Sequence, residues 1–351
     1  MKSTMPINII LLGVGKVGRA LIRQIQAAKE VLKTKGISIQ FTALADSQGA
    51  VRGDPLTADV IDQVITNKEA GLSLFNLPGY ISLEQLRHLY NTETIVIDTT
   101  AAKQTTIHEA LKDGSRLIFA NKNNHSAPWT EAKPFFNQEM VKYESTVGAG
   151  LPVIRSLQSL INSQDEIVLM EGVMSGTLGY LCSQMESGLT YSQAVTQAFE
   201  LGYTEPDPRD DLSGFDVARK SLILARTAGW PLEMSDLKVE AFYPSALASL
   251  SVSQFMDTLP TLNADYQQKV DQAAADGQVL RYLARVTPQG GTVGLTSVPK
   301  NSPLGALNGP GNYFSFTSKR YAEFPLVISG PGAGVEVTAA GVFSDLIDLL
   351  S

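Results

Sequence analysis

Cysteine is nearly absent from this chain, with Cys182 alone among 351 residues. No disulfide can form within the chain, which excludes a cross-linked secreted scaffold and fits a reducing, cytoplasmic setting. Cys182 is expected to pack in a helix. Histidine is also scarce, and His88, His108 and His125 lack the spacing that brings two ligands to one metal. All three read as surface or helix residues. No apolar run nears the roughly 20 residues that cross a bilayer, and no apolar leader with a cleavage site opens the chain. Basic residues are outnumbered, 28 Lys and Arg against 35 Asp and Glu, for a net charge of −7. With no basic stretch to offset it, that balance argues against a nucleic-acid or anionic-membrane partner and leaves a small molecule. Repeats, low-complexity tracts and linkers are missing too.

What is present suits a folded enzyme of two domains: 44% hydrophobic and 18% charged residues. The run INIILL at 7–12 reads as a strand buried on both faces of a parallel sheet. Gly13-Val14-Gly15-Lys16-Val17-Gly18 follows at once, then apolar residues at helical spacing to about Lys35. Strand, G-x-G-x-x-G and helix in this order form the dinucleotide-binding fingerprint: two glycines for the turn and pyrophosphate approach, a third for helix–strand packing. A second strand at 39–45 ends in Asp46, an acid placed to accept the ribose hydroxyls and repel a 2′-phosphate. That favours NAD slightly over NADP, although Arg52 could reach such a phosphate. Helices are expected at 55–67 and 82–90, a strand at 94–99, a helix at 104–113 and a strand at 116–120. Thr99, Thr100 and Lys122 then sit beyond strand ends, where ligands collect in open α/β sheets.

Residues 143–152 (YESTVGAGLP) break into a glycine loop before a helix that Pro152 can open. A strand at 166–173 leads to Met174–Tyr180, where Gly176 permits close approach and Ser175 or Thr177 can cap a helix. A further helix is expected at 190–200. In GYTEPDPRDDLSGFDVARK, 202–220, Pro206 and Pro208 keep the first half out of a helix interior, yet it carries four acids and one arginine. The second half turns helical, capped by Asp211 or Ser213, with Phe215, Ala218, Leu222 and Ala225 as an apolar stripe. Asp216 and Lys220 share another face of that helix. Facing water they are an ordinary ion pair; facing a pocket they are a lysine kept protonated by its carboxylate, suited to general acid work. Short helices over 235–277, strands at 278–286 and 291–298, a turn at 301–305 and a strand at 313–316 follow. Leu326 to Gly334 is a second strand and glycine loop, before an apolar helix at about 337–350 that returns to the nucleotide domain.

The stretch at 202–220, with those at 7–18, 143–152, 171–180 and 326–345, resembles the homoserine dehydrogenase family over almost the whole chain. The resemblance implies an α/β fold: an N-terminal Rossmann domain at 1–150, an α+β substrate and dimerisation domain with a mixed sheet at 151–320, and a C-terminal segment at 321–351 packing back on the first domain. It implies reversible reduction of L-aspartate 4-semialdehyde to L-homoserine by NADH or NADPH, in threonine and methionine biosynthesis. The site residues carried over are Lys220 as proton donor, Lys122 as second cation and Asp216 beside Lys220. Gly13 to Gly18, Asp46, Thr99, Thr100, Lys122 and Gly334 would hold the nucleotide. Gly176, Thr177, Gly202, Tyr203, Glu205, Asp211, Asp216 and Lys220 would hold the substrate. The backbone carbonyls of Glu144, Val147, Ala149 and Leu151 would bind a monovalent cation, sodium or potassium, against the competing reading of a plain structural loop. A homodimer through the second sheet is expected, in a short, monofunctional form without aspartate kinase or regulatory domain. Gly179 departs from the polar residue many members carry there. Two rivals remain: another amino-acid or semialdehyde dehydrogenase on the same plan, and a catalytically silent, nucleotide-sensing relative.

Overall fold

The computed structural model describes residues 6–350, which divide into two compact units: one built from the chain up to Gly150 together with Ala333 onward, the other from Leu151–Gly332. In the first unit the apolar run becomes strand β1, Ile7–Leu12, whose last four residues are buried. It pairs in parallel with β2, Ile39–Ala45, and with β5, Thr94–Asp98. Strands β6, Arg116–Phe119, and β7, Val141–Lys142, extend the parallel sheet beyond β5. On the other side β3, Ala50–Arg52, and β4, Tyr80–Ile81, add an antiparallel edge, giving the order β4-β3-β2-β1-β5-β6-β7. These two short strands fall where the sequence led us to expect only helices and a turn. Segments of three and two residues carry no period to read, and pairing alone makes them strands.

The helix after the glycine loop, Lys16–Thr34, buries Leu21, Ile22 and Ile25 against this sheet. The C-terminal helix Val335–Asp348 lies beside it and adds Ala339, Val342 and Leu346 to the same core. Ile107–Lys112 and Leu83–Arg87 are helices shorter than the sequence suggested, and Ser82 caps the latter with a reciprocal bond to Gln85. His125 is neither a surface nor a helix residue. It lies in a turn, fully buried, with its ring within 5.8 Å of Phe119, Phe135, Phe136 and Tyr143. Four aromatic neighbours drawn from separate stretches of chain are invisible to local spacing. His88 is exposed and ends a helix, and His108 lies within one.

The second unit carries a six-stranded sheet in the order β13-β12-β8-β10-β11-β9. Its strands are β8, Ile167–Val173; β9, Leu237–Val239; β10, Gln278–Thr287; β11, Gly290–Pro299; β12, Gly311–Ser318; and β13, Leu326–Pro331. All pairings are antiparallel except that of β11 with β9, so the sheet is mixed. Helices Gly176–Glu186, Phe215–Thr227 and Asn263–Ala275 pack on β10. Cys182 is buried in the first of these, and burial lifts its thiol to about 12, which keeps it inert.

Candidate active site

The glycine loop has the geometry its residue types demand. Gly13 adopts φ +94°, and a Cβ there would lie 2.8 Å from the Thr100 amide nitrogen. A Cβ on Gly18 would meet the Gly13 carbonyl oxygen at 2.1 Å, so that position can only be glycine. Gly15 differs: nothing lies within 4 Å of its missing side chain, and it caps the helix without any side-chain bond. The open backbone at a helix N-terminus is where a pyrophosphate fits. Thr99 donates its hydroxyl to the Gly13 carbonyl at 2.6 Å, tying the end of β5 to this turn.

Asp46 is more committed than its sequence position suggests. One carboxylate oxygen accepts the amides of Gln48 and Gly49, and the other receives Lys68 Nζ at 2.8 Å. Burial raises its pKa, but the Lys68 and backbone hydrogen bonds outweigh that and leave it below the usual carboxylate value. Lys68, which no motif signals, thus compensates the negative charge at the end of β2.

Beyond β5 and β6 two loops are joined through Asp98. This side chain is fully buried and accepts from the Thr100 amide and hydroxyl and from Asn121 Nδ2. Burial pushes its pKa up to about 6, the three hydrogen bonds working against that rise. Lys122 follows Asn121 and is half-buried. The 143–152 loop turns sharply, with Gly148 at φ +80° and Ala149 at φ +56°. Ala149 is not a glycine, so this left-handed conformation is held by its surroundings. The Glu144 carbonyl accepts from the Val147 amide, the Leu151 carbonyl from that of Val153. Gly150 and Gly341 let the C-terminal helix dock on this loop: a Cβ on Gly150 would meet the Val337 carbonyl at 2.4 Å. Gly334, at φ +133°, caps that helix.

In the second unit the 202–220 stretch folds as two helices. Asp207 caps Pro208–Leu212, with Pro208 in its first turn, and a second helix runs over Phe215–Thr227. Gly214 at φ +71° takes the cap position of that second helix, with Ser213 Oγ accepting the amide of its first residue, Phe215, at 3.2 Å; Asp211 takes no part. Asp211 is drawn away by other partners. It accepts the Glu205 amide at 2.8 Å and lies 3.3 Å from the Thr177 hydroxyl, which also donates to the Tyr203 carbonyl at 2.6 Å. Burial, with the nearby carboxylates of Glu205 and Asp216, holds Asp211 above the ordinary carboxylate range. Ser175 caps the helix that Gly176 opens, as expected of the pair, whereas Thr177 is spent on Tyr203 and Asp211. Phe215 does not join the apolar stripe and is 51% exposed.

Lys220 settles which face of its helix points inward. It is 9% exposed, donates to the Met174 carbonyl at 2.7 Å and pairs with Asp216 at 2.9 Å. The helix is buried almost all round from Val217 onward, so Lys220 is withdrawn from water while the Asp216 side chain stays 44% exposed. Two side chains brace this region without touching its chemistry. Arg209 clamps Asp207 and donates to the carbonyls of Ala248 and Leu250. Arg281, 1% exposed, gathers Glu186 and the carbonyls of Leu304, Gly305 and Leu307. At position 179 a Cβ would face the Gly309 carbonyl at 3.1 Å, so the departure from the family pattern there concerns packing on the 309–311 turn. Among the described residues no group of three or more His, Cys, Asp or Glu side chains could hold a metal ion.

A dinucleotide-type glycine loop on a largely parallel sheet, followed by a mixed-sheet unit with a buried lysine on one of its helices, defines a two-unit α/β protein of the dinucleotide-binding class. A homoserine dehydrogenase family model matches residues 152–347. The chain belongs to the homoserine dehydrogenase family. It is 41% identical over 277 residues to a homoserine dehydrogenase of Paracoccidioides brasiliensis, covering 73% of this chain and 74% of that one. It is 37% identical over 364 residues to a chloroplastic bifunctional aspartokinase/homoserine dehydrogenase of Zea mays, and spans 39% of that protein's length. Among solved structures, a putative homoserine dehydrogenase of Archaeoglobus fulgidus superposes with a TM-score of 0.78 at 26% identity, over 98% of this chain and 99% of that one. A hyperthermophilic archaeal homoserine dehydrogenase in complex with NADPH shares the fold, with a TM-score of 0.73 at 22% identity and coverage of 99% and 98%.

Proposed function

We propose that this chain reduces L-aspartate 4-semialdehyde to L-homoserine, and runs the reverse oxidation, with a nicotinamide dinucleotide. The observation that carries this reading is Lys220, a buried ammonium held between the Asp216 carboxylate and the Met174 carbonyl beside the acids of the 202–211 stretch. The residues of the glycine loop fit a dinucleotide, since Gly15 leaves its helix end open and Gly13 and Gly18 close the turn. Reduced nicotinamide supplies the hydride that adds to the aldehyde carbon. The negative charge then building on the aldehyde oxygen needs a proton and a preorganised positive field. Lys220 gives that proton from Nζ and regains it from solvent, while Asp216, 2.9 Å away, holds the amine in place. Lys122 supplies the second positive charge to the substrate. Glu205, Asp211 and Asp216 bind the substrate's ammonium group, and Thr177 orients Asp211 through their 3.3 Å contact.

The nucleotide preference follows from the charge at the end of β2. With Lys68 on Asp46, that corner no longer presents a lone carboxylate to a 2′-phosphate, so both NADH and NADPH are substrates of this reading. The carbonyls of Glu144, Val147, Ala149 and Leu151 would bind sodium or potassium, since each retains a lone pair beyond any backbone bond it accepts. A homodimer is the expected assembly. Among the described residues no helix is long and apolar enough to cross a membrane, in keeping with a cytoplasmic enzyme. The deciding experiment follows the reduced-nicotinamide absorbance with aspartate semialdehyde and NADH or NADPH side by side, with and without potassium. Turnover with the semialdehyde but not with close analogues supports the reading; bound nucleotide with no turnover on any aldehyde would leave the silent sensor as the better account.

A further inference from the structure

The buried carboxylate of Asp98 has no part in the chemistry proposed above. It is fully buried, and its hydrogen-bond donors are all neutral: the Thr100 amide at 2.9 Å, the Thr100 hydroxyl at 2.7 Å and Asn121 Nδ2 at 3.1 Å. Among the described residues no lysine, arginine or histidine hydrogen-bonds to it. A carboxylate at that depth without a cation is costly to keep, and a neutral side chain of similar size would avoid the cost. Its two partners sit on different loops, Thr100 after β5 and Asn121 after β6. Asn121 Nδ2 also reaches the Thr100 hydroxyl at 3.0 Å and the Ala102 carbonyl at 2.7 Å. Asn121 Oδ1 in turn accepts the amide and the side chain of Asn123, each at 2.9 Å. Asn123 Nδ2 closes the link by donating to the Ala101 carbonyl at 2.6 Å. Both chain neighbours of Lys122 are thereby fastened to the β5 loop.

We infer that Asp98 and Asn121 form a positioning pair that fixes the backbone carrying Lys122 against the loop after β5. The inference rests on the proposed role of Lys122 as a second cation. Position alone explains why a charge is kept: a carboxylate accepts from Thr100 and Asn121 at once, whereas an amide must turn a donor toward one of them. Small displacements of a charged group at a reacting centre lower turnover far more than they lower fold stability.

The test uses the full chain with three variants, Asp98→Asn, Asn121→Ser and the exchange Asp98→Asn/Asn121→Asp, beside wild type and Lys122→Ala. The expected result for Asp98→Asn is a fall in kcat of at least tenfold, with nucleotide Kd within threefold of wild type. The exchange restores an amide–carboxylate bond between the two positions, though it turns an acceptor toward the Ala102 carbonyl, and should recover at least fivefold of the lost kcat. Asn121→Ser, which leaves the buried acid in place, should lose at least fivefold and keeps the test decisive if Asp98→Asn does not fold. A kcat within threefold of wild type in Asp98→Asn, or in Asn121→Ser should the former not fold, overturns the inference. So does an exchange that recovers nothing, and so does loss of nucleotide affinity in step with kcat, which would mark general loop support. Failure of the reaction reading shows separately, as a wild type without turnover on aspartate semialdehyde or a Lys122→Ala variant with undiminished turnover.

Discussion

Asp98 in the first unit closes an interior strand, Lys220 in the second lies on a helix, and the two buried side chains are held in opposite ways. Lys220 has a carboxylate at 2.9 Å and a carbonyl at 2.7 Å, a full countercharge plus a dipole. Asp98 has dipoles only, and burial carries its pKa up to about 6. A buried carboxylate beside a cation stays ionised. An unpaired one is poised to take up a proton. The carboxylate and carbonyl at Lys220 place its ammonium, and the neutral donors at Asp98 tie two loops to one side chain.

The sharpest way to break the comparison is to remove the paired charge. Lys220→Ala is expected to lower kcat by about 10²–10⁴-fold, the range for general acid catalysis, with nucleotide Kd unchanged by titration. A variant turning over at the wild-type rate would put the proton donor elsewhere. The unpaired charge is tested through stability. Burial lifts the pKa of Asp98 to about 6, above the ordinary aspartate value of 3.8, so the native state binds the proton more tightly than the unfolded chain. Stability from this group is present below pH 3.8 and is lost as pH rises to about 6, a change of ~3 kcal/mol. Urea unfolding of wild type and Asp98→Asn at pH 4 and pH 7.5 should therefore show the difference moving in favour of the variant at the higher pH. A difference independent of pH would mean that Asp98 titrates normally.

Two smaller effects sharpen the picture. Asp211→Asn removes a carboxylate that holds the Glu205 amide and faces Thr177, and is expected to raise KM for the amino-acid substrate by about 10–100-fold, with a smaller change in kcat. An equal fall in kcat at unchanged KM would place Asp211 in the transition state instead. Lys68→Met leaves Asp46 uncompensated and should lower kcat/KM with NADPH relative to NADH by about tenfold, since a hydrogen bond to a charged group contributes roughly 1.5–3 kcal/mol. No change in that ratio would show that the 2′-phosphate lies away from this corner.

Much of this was legible in the residues. The bounds of β1 and β2 follow from their apolar runs, and strands β10 and β11 appear within a residue of where alternation puts them. The 202–220 stretch announced a proline-broken segment before a helix; the helix is there, but Pro208 opens a short helix of its own that takes in Asp210 and Asp211. Its details were decided otherwise. Asp211 was expected at a helix cap and is instead held by Glu205 and Thr177, and Gly214 takes the cap position with Ser213 bonded to the Phe215 amide. Phe215 fits the helical period yet faces outward, while Lys220, charged and four residues from an acid, faces inward. The period of a helix fixes which residues share a face but not which face the rest of the molecule covers. Asp98 did leave a signal, a charge closing an otherwise apolar strand, but its partner Asn121 is 23 positions away and lies on another loop.

The amino-acid order by itself determined the strand–glycine–helix opening, the family of the chain and the set of acids and lysines available for chemistry. These rest on local rules: backbone freedom at glycine, proline's missing amide, and apolar periods set by the geometry of one strand or one helix. Tertiary structure alone decided which charges are dry and what stands beside them: His125 among four aromatic rings, Lys68 on Asp46, Lys220 under the Met174 carbonyl, and Asp98 among neutral donors. A charge is tuned by its nearest few ångströms, and folding fills that shell with atoms from distant parts of the chain.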